Sequence, residues 1–123
     1  MVLTGTDGEQ HDVAVWVADT AAERGRGLMG VTDLGAAVGM LFVFDAEGLP
    51  KFYMWQTPMP LDIAFFAADG TFVDSASMEP CLQPPSDACT RYASDEPYVL
   101  ALELPSGGLT ELDLAEGASL SGR

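Results

Sequence analysis

The stretch Leu61 to Met78, "LDIAFFAADGTFVDSASM", constrains the fold most. Two extended runs flank Asp69-Gly70, a residue pair that accepts the positive φ angles of a tight hairpin turn. A two-stranded ribbon is marginal in water, so a chain committed to this hairpin must supply further strands to cover it. Several other segments read that way. "HDVAVWVADT" alternates, with Val13, Val15 and Val17 on one side and Ala14, Trp16 and Ala18 on the other, which predicts the first strand. The Asp7-Gly8 turn before it makes Val2 to Thr4 a hairpin partner. "GMLFVF", Gly39 to Phe44, is a continuous apolar run that predicts a strand covered on both faces. "KFYMWQT" extends the chain again, and "YVLALELP" is the last strong strand.

The remaining segments break this pattern. In "TAAERGRGLMG", Thr20 and Glu23 have the spacing of a reciprocal capping box, which predicts a short helix. Gly25 and Gly27 weaken that helix by about 1 kcal/mol each relative to alanine, and Gly30 suits its left-handed stop. The two glycines imply either close packing of the helix on a sheet or a ligand approaching the backbone. "EPCLQPPSDACTRYASDEP" carries four prolines without periodicity and predicts an ordered surface loop. "LTELDLAEGASLSG" fits a short strand, or a helical turn followed by a closing strand. There are no internal repeats.

With 123 residues the chain makes a single domain, 1–123. Nineteen acids against five bases give a formal charge of −14 and leave no basic stripe to neutralise phosphates, so nucleic acid and anionic membranes are poor partners. The net charge favours a neutral or cationic small molecule, or a basic peptide, and a monomer is expected. No run approaches the roughly 20 apolar residues of a membrane span, and "MVLTGTDGEQ" lacks the pattern of a signal peptide. The chain is expected to be soluble, either cytoplasmic or exported with its signal removed.

Asp62 is the first candidate for chemistry. Leu61, Ile63 and Phe65 share one face of their strand, and Asp62 shares the other with Ala64 and Phe66. A carboxylate in such company needs a partner or a place at the sheet rim. Among His11, Arg24, Arg26, Lys51 and Arg91, Arg24 is the expected partner, as an Arg24–Asp62 ion pair clamping helix to sheet or orienting a ligand. Cys81 and Cys89, eight apart, are either a disulfide in the proline-rich loop or two thiols; their spacing is not that of a redox or zinc motif. Met54, Met59 and Met78 with both cysteines form a sulfur set for Cu(I) that Trp55 could cover, against which stands the ordinary use of methionine as core filler. No phosphate loop or nucleophile elbow is present. His11 with Cys81 or Ser94, and Asp62 acting as a base, are the remaining catalytic options, and no cofactor is implied.

In order, "VADTAAERGRGLMG", "GMLFVFD", "FYMWQTPMPLDIAFFAADGTFVD", "EPC" with "CTRYAS", and "YVLALELPSG" with "EGASLSG" resemble the family known as domain of unknown function 192. The resemblance runs from about Val13 to Gly122. It implies a compact, mainly β domain (α+β by content), an antiparallel jelly-roll-like sandwich or barrel with one short helix after the first long strand, and no established activity. The matching positions are Glu23, Arg24, Gly27, Leu28 and Met29, then Gly39, Met40 and Phe42, then Met54, Thr57, Pro60, Leu61 and Asp62. The chain departs from the family at Trp55 and Gln56, where a basic residue followed by asparagine is expected. The expected function is a non-enzymatic accessory or ligand-binding domain, with a surface of Met54, Trp55, Gln56, Thr57, Tyr92 and Ser94.

Overall fold

The computed structural model describes residues 1–83 and 85–122. Eight strands form two sheets. β1 (Val2–Thr4), β2 (Gln10–Asp12) and β8 (Ser119–Ser121) make a small antiparallel sheet in the order β2-β1-β8. β3 (Val15–Ala18), β4 (Gly39–Gly48), β5 (Leu61–Phe66), β6 (Phe72–Met78) and β7 (Tyr98–Pro105) make the main sheet in the order β3-β4-β7-β5-β6. The sheets stack as an open sandwich with no closed barrel. The Asp69-Gly70 hairpin joins β5 to β6 as its turn chemistry predicts, with Gly70 at φ 88°.

The alternating run after His11 is not one strand. β2 belongs to the small sheet and β3 to the main sheet, and the chain crosses between them at Val13 and Ala14. There the Val13 N–H donates to the Met1 carbonyl and the Ala14 carbonyl accepts from Val38. Alternation reports that successive side chains face opposite ways; it is blind to a change of hydrogen-bonding partner. β3 then pairs parallel with β4, whereas the other described ladders of the main sheet are antiparallel. At the other end, the C-terminal ambiguity resolves as α2 (Gly108–Glu111) followed by the closing strand β8.

The main sheet buries both faces, which is why β5 has no exposed residue. Leu41, Ala64, Phe66, Leu100, Leu102 and Leu104 pack against Leu3 and Leu120 of the small sheet. On the opposite face Phe42, Ile63, Phe65, Met78 and Ala101 pack under Leu28, Phe52 and Met54. That second cover is built from α1 (Ala21–Arg26), the segment around Phe52 and the proline-rich loop. Phe42, Phe52, Phe65 and Tyr98 meet edge-on or tilted at 4.6 to 6.5 Å between ring centroids, a geometry that adds to simple area burial.

α1 begins as predicted: Thr20 Oγ1 accepts from the Glu23 N–H while Glu23 Oε1 accepts from the Thr20 N–H, both at 3.1 Å. It ends earlier than Gly30. The capping glycine is Gly27, at φ 51°, where a methyl group would sit 3.3 Å from the Phe42 ring, so close packing on the sheet accounts for this glycine. A disulfide joins Cys81 to Cys89. It fastens the proline-rich loop where that loop pairs with the covering segment, through bridges from Trp55 to Cys81 and from Phe52 to Tyr92.

Candidate functional site

The expected Arg24–Asp62 ion pair is not formed. Alternation along β5 sends Asp62 to the face opposite α1, beneath α2. Its carboxylate accepts from the Gly107 N–H at 3.0 Å, the Leu109 N–H at 3.2 Å and the Ser77 hydroxyl at 3.1 Å. Gly107 is the N-cap of α2 and has no side chain to cap with, so Asp62 supplies the missing acceptor from across the fold. Arg24 is occupied elsewhere: its guanidinium donates to the carbonyls of Asp19 and Val43, both at 2.9 Å, and lies 5.2 Å from the Phe44 ring centroid. Held by three donors and 4% exposed, Asp62 is a structural acceptor and is poorly placed to take a proton from a substrate.

The residues of the anticipated surface lie on two neighbouring segments, joined by the bridges from Phe52 to Tyr92 and from Trp55 to Cys81. Met54 and Thr57 are buried, Trp55 is half-buried, and Gln56 is exposed at φ 54°. That left-handed conformation favours asparagine over glutamine, which explains the residue type that the family resemblance leads one to expect there. The Trp55 indole N–H is occluded and, among the described residues, has no acceptor. Tyr92 spends its hydroxyl on the Glu79 N–H, and Ser94 donates to the Glu96 carbonyl. Both hold the loop. The soft-metal set loses its thiols to the disulfide, with Met54 and Met78 sunk in the core. His11 lies in the small sheet beside Glu9, remote in the fold from the cover layer that holds Cys81.

A different constellation opens between α1 and the Phe52 segment. This cleft, of about 280 Å³, has Phe42, Phe44, Phe52 and Tyr53 as apolar walls and Arg24, Arg26 and Lys51 around it. Three of the chain's five basic residues therefore converge on one hollow of a protein whose net charge is −14. Among the described residues, the ion pairs are Met1 with Asp12 and His11 with Glu9, so neither Arg26 nor Lys51 is neutralised by a carboxylate. A larger hollow of about 440 Å³ lies between the 32–38 loop and α2, with the exposed Asp33 and Glu111 as its ionisable groups. Among the described residues it has no buried polar group to fix a ligand.

Glu103 lies within the first cleft and was not among the expected site residues. β7 alternation places Leu100, Leu102 and Leu104 between the sheets and turns Glu103 to the α1 side, next to Met40 and Ile63 in the ladders. It is 4% exposed, and no hydrogen bond or ion pair from a described residue reaches its carboxyl. Burial pushes its pKa from an ordinary 4.5 up to about 8, so it is mostly neutral at pH 7. The signal was present in "YVLALELP": an acid inside an apolar strand poses the same question as Asp62.

Fold and cleft together define a small open β-sandwich with a helix-covered pocket. The chain belongs to the DUF192 family, described as "Uncharacterized ACR", whose model matches residues 2–122. It is similar over 98% of its length to two proteins of known crystal structure. One, from Sinorhizobium meliloti 1021, is described provisionally as a transcription regulator; it is 31% identical, with a TM-score of 0.84 and 90% of that chain covered. The other, a protein of unknown function from Novosphingobium aromaticivorans DSM 12444, is 30% identical, with a TM-score of 0.83 and 82% covered. None of the curated proteins matches the sequence.

Proposed function

We propose that this domain binds, without transforming, a small anionic molecule with an apolar body, held in the cleft between α1 and the Phe52 segment. The observation that carries this reading is the convergence of Arg24, Arg26 and Lys51 around aromatic walls in an otherwise acidic chain. Local charge decides a contact made at a few ångströms, whereas the net charge acts over the whole molecule. The cleft thus favours an anion where composition alone favours a neutral or cationic partner. Phe42, Phe44 and Phe52 suit the apolar part of the ligand. A binding role rather than a catalytic one is supported by the structural engagement of Asp62 with three donors and the bridging of both cysteines. The disulfide also favours an oxidising compartment.

Transcription regulation, the provisional description of the Sinorhizobium protein, finds no support in this chain: three cations at a cleft do not make a surface that neutralises a duplex. Charge reversal at Arg26 and Lys51, both exposed, tests the proposal. In a calorimetric screen of alkyl carboxylates, alkyl phosphates and alkylamines, the anions are expected to bind the native chain and to lose at least tenfold in affinity to Arg26→Glu/Lys51→Glu. Equal binding of anions by both proteins would defeat the reading.

A further inference from the structure

We propose that Glu103 donates a hydrogen bond from its carboxyl to an oxygen of the bound anion, making the cleft selective for oxyanions over amines and alcohols of the same shape. The inference rests on the anion-binding reading of the cleft and names the group that sets its specificity. The geometry is that of a polar side chain 4% exposed that lines the hollow and has no hydrogen-bond partner among the described residues. Such a group, nearly withdrawn from solvent, gains from a ligand oxygen arriving at that depth.

The charged and titratable neighbours determine the sense of the interaction. α1 and its flank bring Arg24 and Arg26; the covering segment brings Lys51 and Tyr53; β4 and β5 bring Met40, Phe42, Phe44 and Ile63, which do not titrate. Among the described residues no further carboxylate lines the cleft. An ammonium ligand would meet the cations at the rim before reaching a neutral acid. A carboxylate meets the same cations favourably, and its oxygen accepts the Glu103 proton in a charge-assisted hydrogen bond. An alcohol can accept that proton but gains nothing from Arg26 or Lys51.

Ionised Glu103 can only accept, and it repels the anion. Since burial raises its pKa to about 8, the binding-competent form is depleted above that pH. Anion affinity is therefore expected to fall roughly tenfold between about pH 7 and about pH 9.

Hexanoate, hexylamine and 1-hexanol serve as probes on the whole chain, followed by calorimetry and by amide chemical shifts at a constant ionic strength of about 0.3 M, where the long-range repulsion is screened. Hexanoate is expected to shift the amides of Gly25 to Met29 and Lys51 to Tyr53, to bind more tightly than the other two probes, and to weaken about tenfold over that pH range. Glu103→Gln, a neutral donor of the same size, is expected to retain hexanoate affinity within about threefold and to lose the pH dependence. A preference for hexylamine, or the same pH dependence in Glu103→Gln, would overturn the role of Glu103 while the cleft stands. Absence of hexanoate shifts at the cleft would overturn both proposals.

Discussion

Two buried acids divide the labour of this molecule, and their surroundings tell them apart. Asp62 is met by three donors; Glu103 is met by none among the described residues. For Glu103 the folded-state pKa lies above the unfolded one, so its contribution to stability is fully present below about pH 4.5 and lost as pH rises through about 8. Glu103→Gln is expected to become more stable than the native chain at alkaline pH, by up to about 4 to 5 kcal/mol from the linkage relation. Denaturant titrations of both proteins across this range check it, and parallel pH curves would show that Glu103 is not buried as described. Asp62→Ala instead strands two amides at the start of α2 and should cost about 2 to 4 kcal/mol at neutral pH. A double-mutant cycle with Arg24→Ala should give a coupling energy within about 0.5 kcal/mol of zero, as for residues that share no contact; a larger coupling would restore the ion pair.

The elements were legible in the sequence wherever a local rule operated. The Asp7-Gly8 and Asp69-Gly70 hairpins, the Thr20–Glu23 capping box, the buried run of β4 and the strand at Tyr98 all follow from turn chemistry, side-chain reach or periodicity. Where the outcome depended on which element lies over which face, the sequence was mute. Strand alternation puts Asp62 on the face away from Leu61 and Ile63, as the structure has it, but nothing local says that α1 covers the opposite one. The Glu103 cleft was hidden for the same reason: its lining comes from four separate segments brought together by the β4–β7–β5 ladders. The disulfide joins these scales, because the Cys81 N–H donates to the Met54 carbonyl and the Cys81 carbonyl accepts from Gln56, both at 3.1 Å. Reduction should lower stability by about 2 to 3 kcal/mol, the chain-entropy value for so short a loop. Hydrogen exchange at the Gln56 and Cys81 amides should accelerate more than at β5 amides, and an unchanged pattern would mean that the loop holds its place without the bridge.

At the scale of the whole molecule, two electrostatic effects oppose each other at the cleft, and magnitudes decide between them. The formal charge of −14, less the two rim cations and with Glu103 neutral, leaves about −15 distributed over the rest of the chain. At roughly 15 Å in water that distribution repels a monovalent anion by about 4 kcal/mol, whereas two cations at roughly 5 Å attract it by about 1.7 kcal/mol. At very low salt, repulsion therefore wins. Salt removes the long-range term first: with a Debye length of about 10 Å at 0.1 M, about a fifth of the repulsion survives against about three-fifths of the attraction, and the two become comparable. Near 1 M both are screened. Hexanoate affinity is accordingly expected to rise as sodium chloride increases from about 10 mM to about 0.3 M, because the attraction outlasts the repulsion, and to change little from there to about 1 M. Thermal stability should rise throughout the same series, because screening relieves self-repulsion without touching the buried core. Calorimetry and thermal melts on one set of samples separate the two responses. An affinity that falls from the lowest salt onward would mean that the rim cations outweigh the remaining charge.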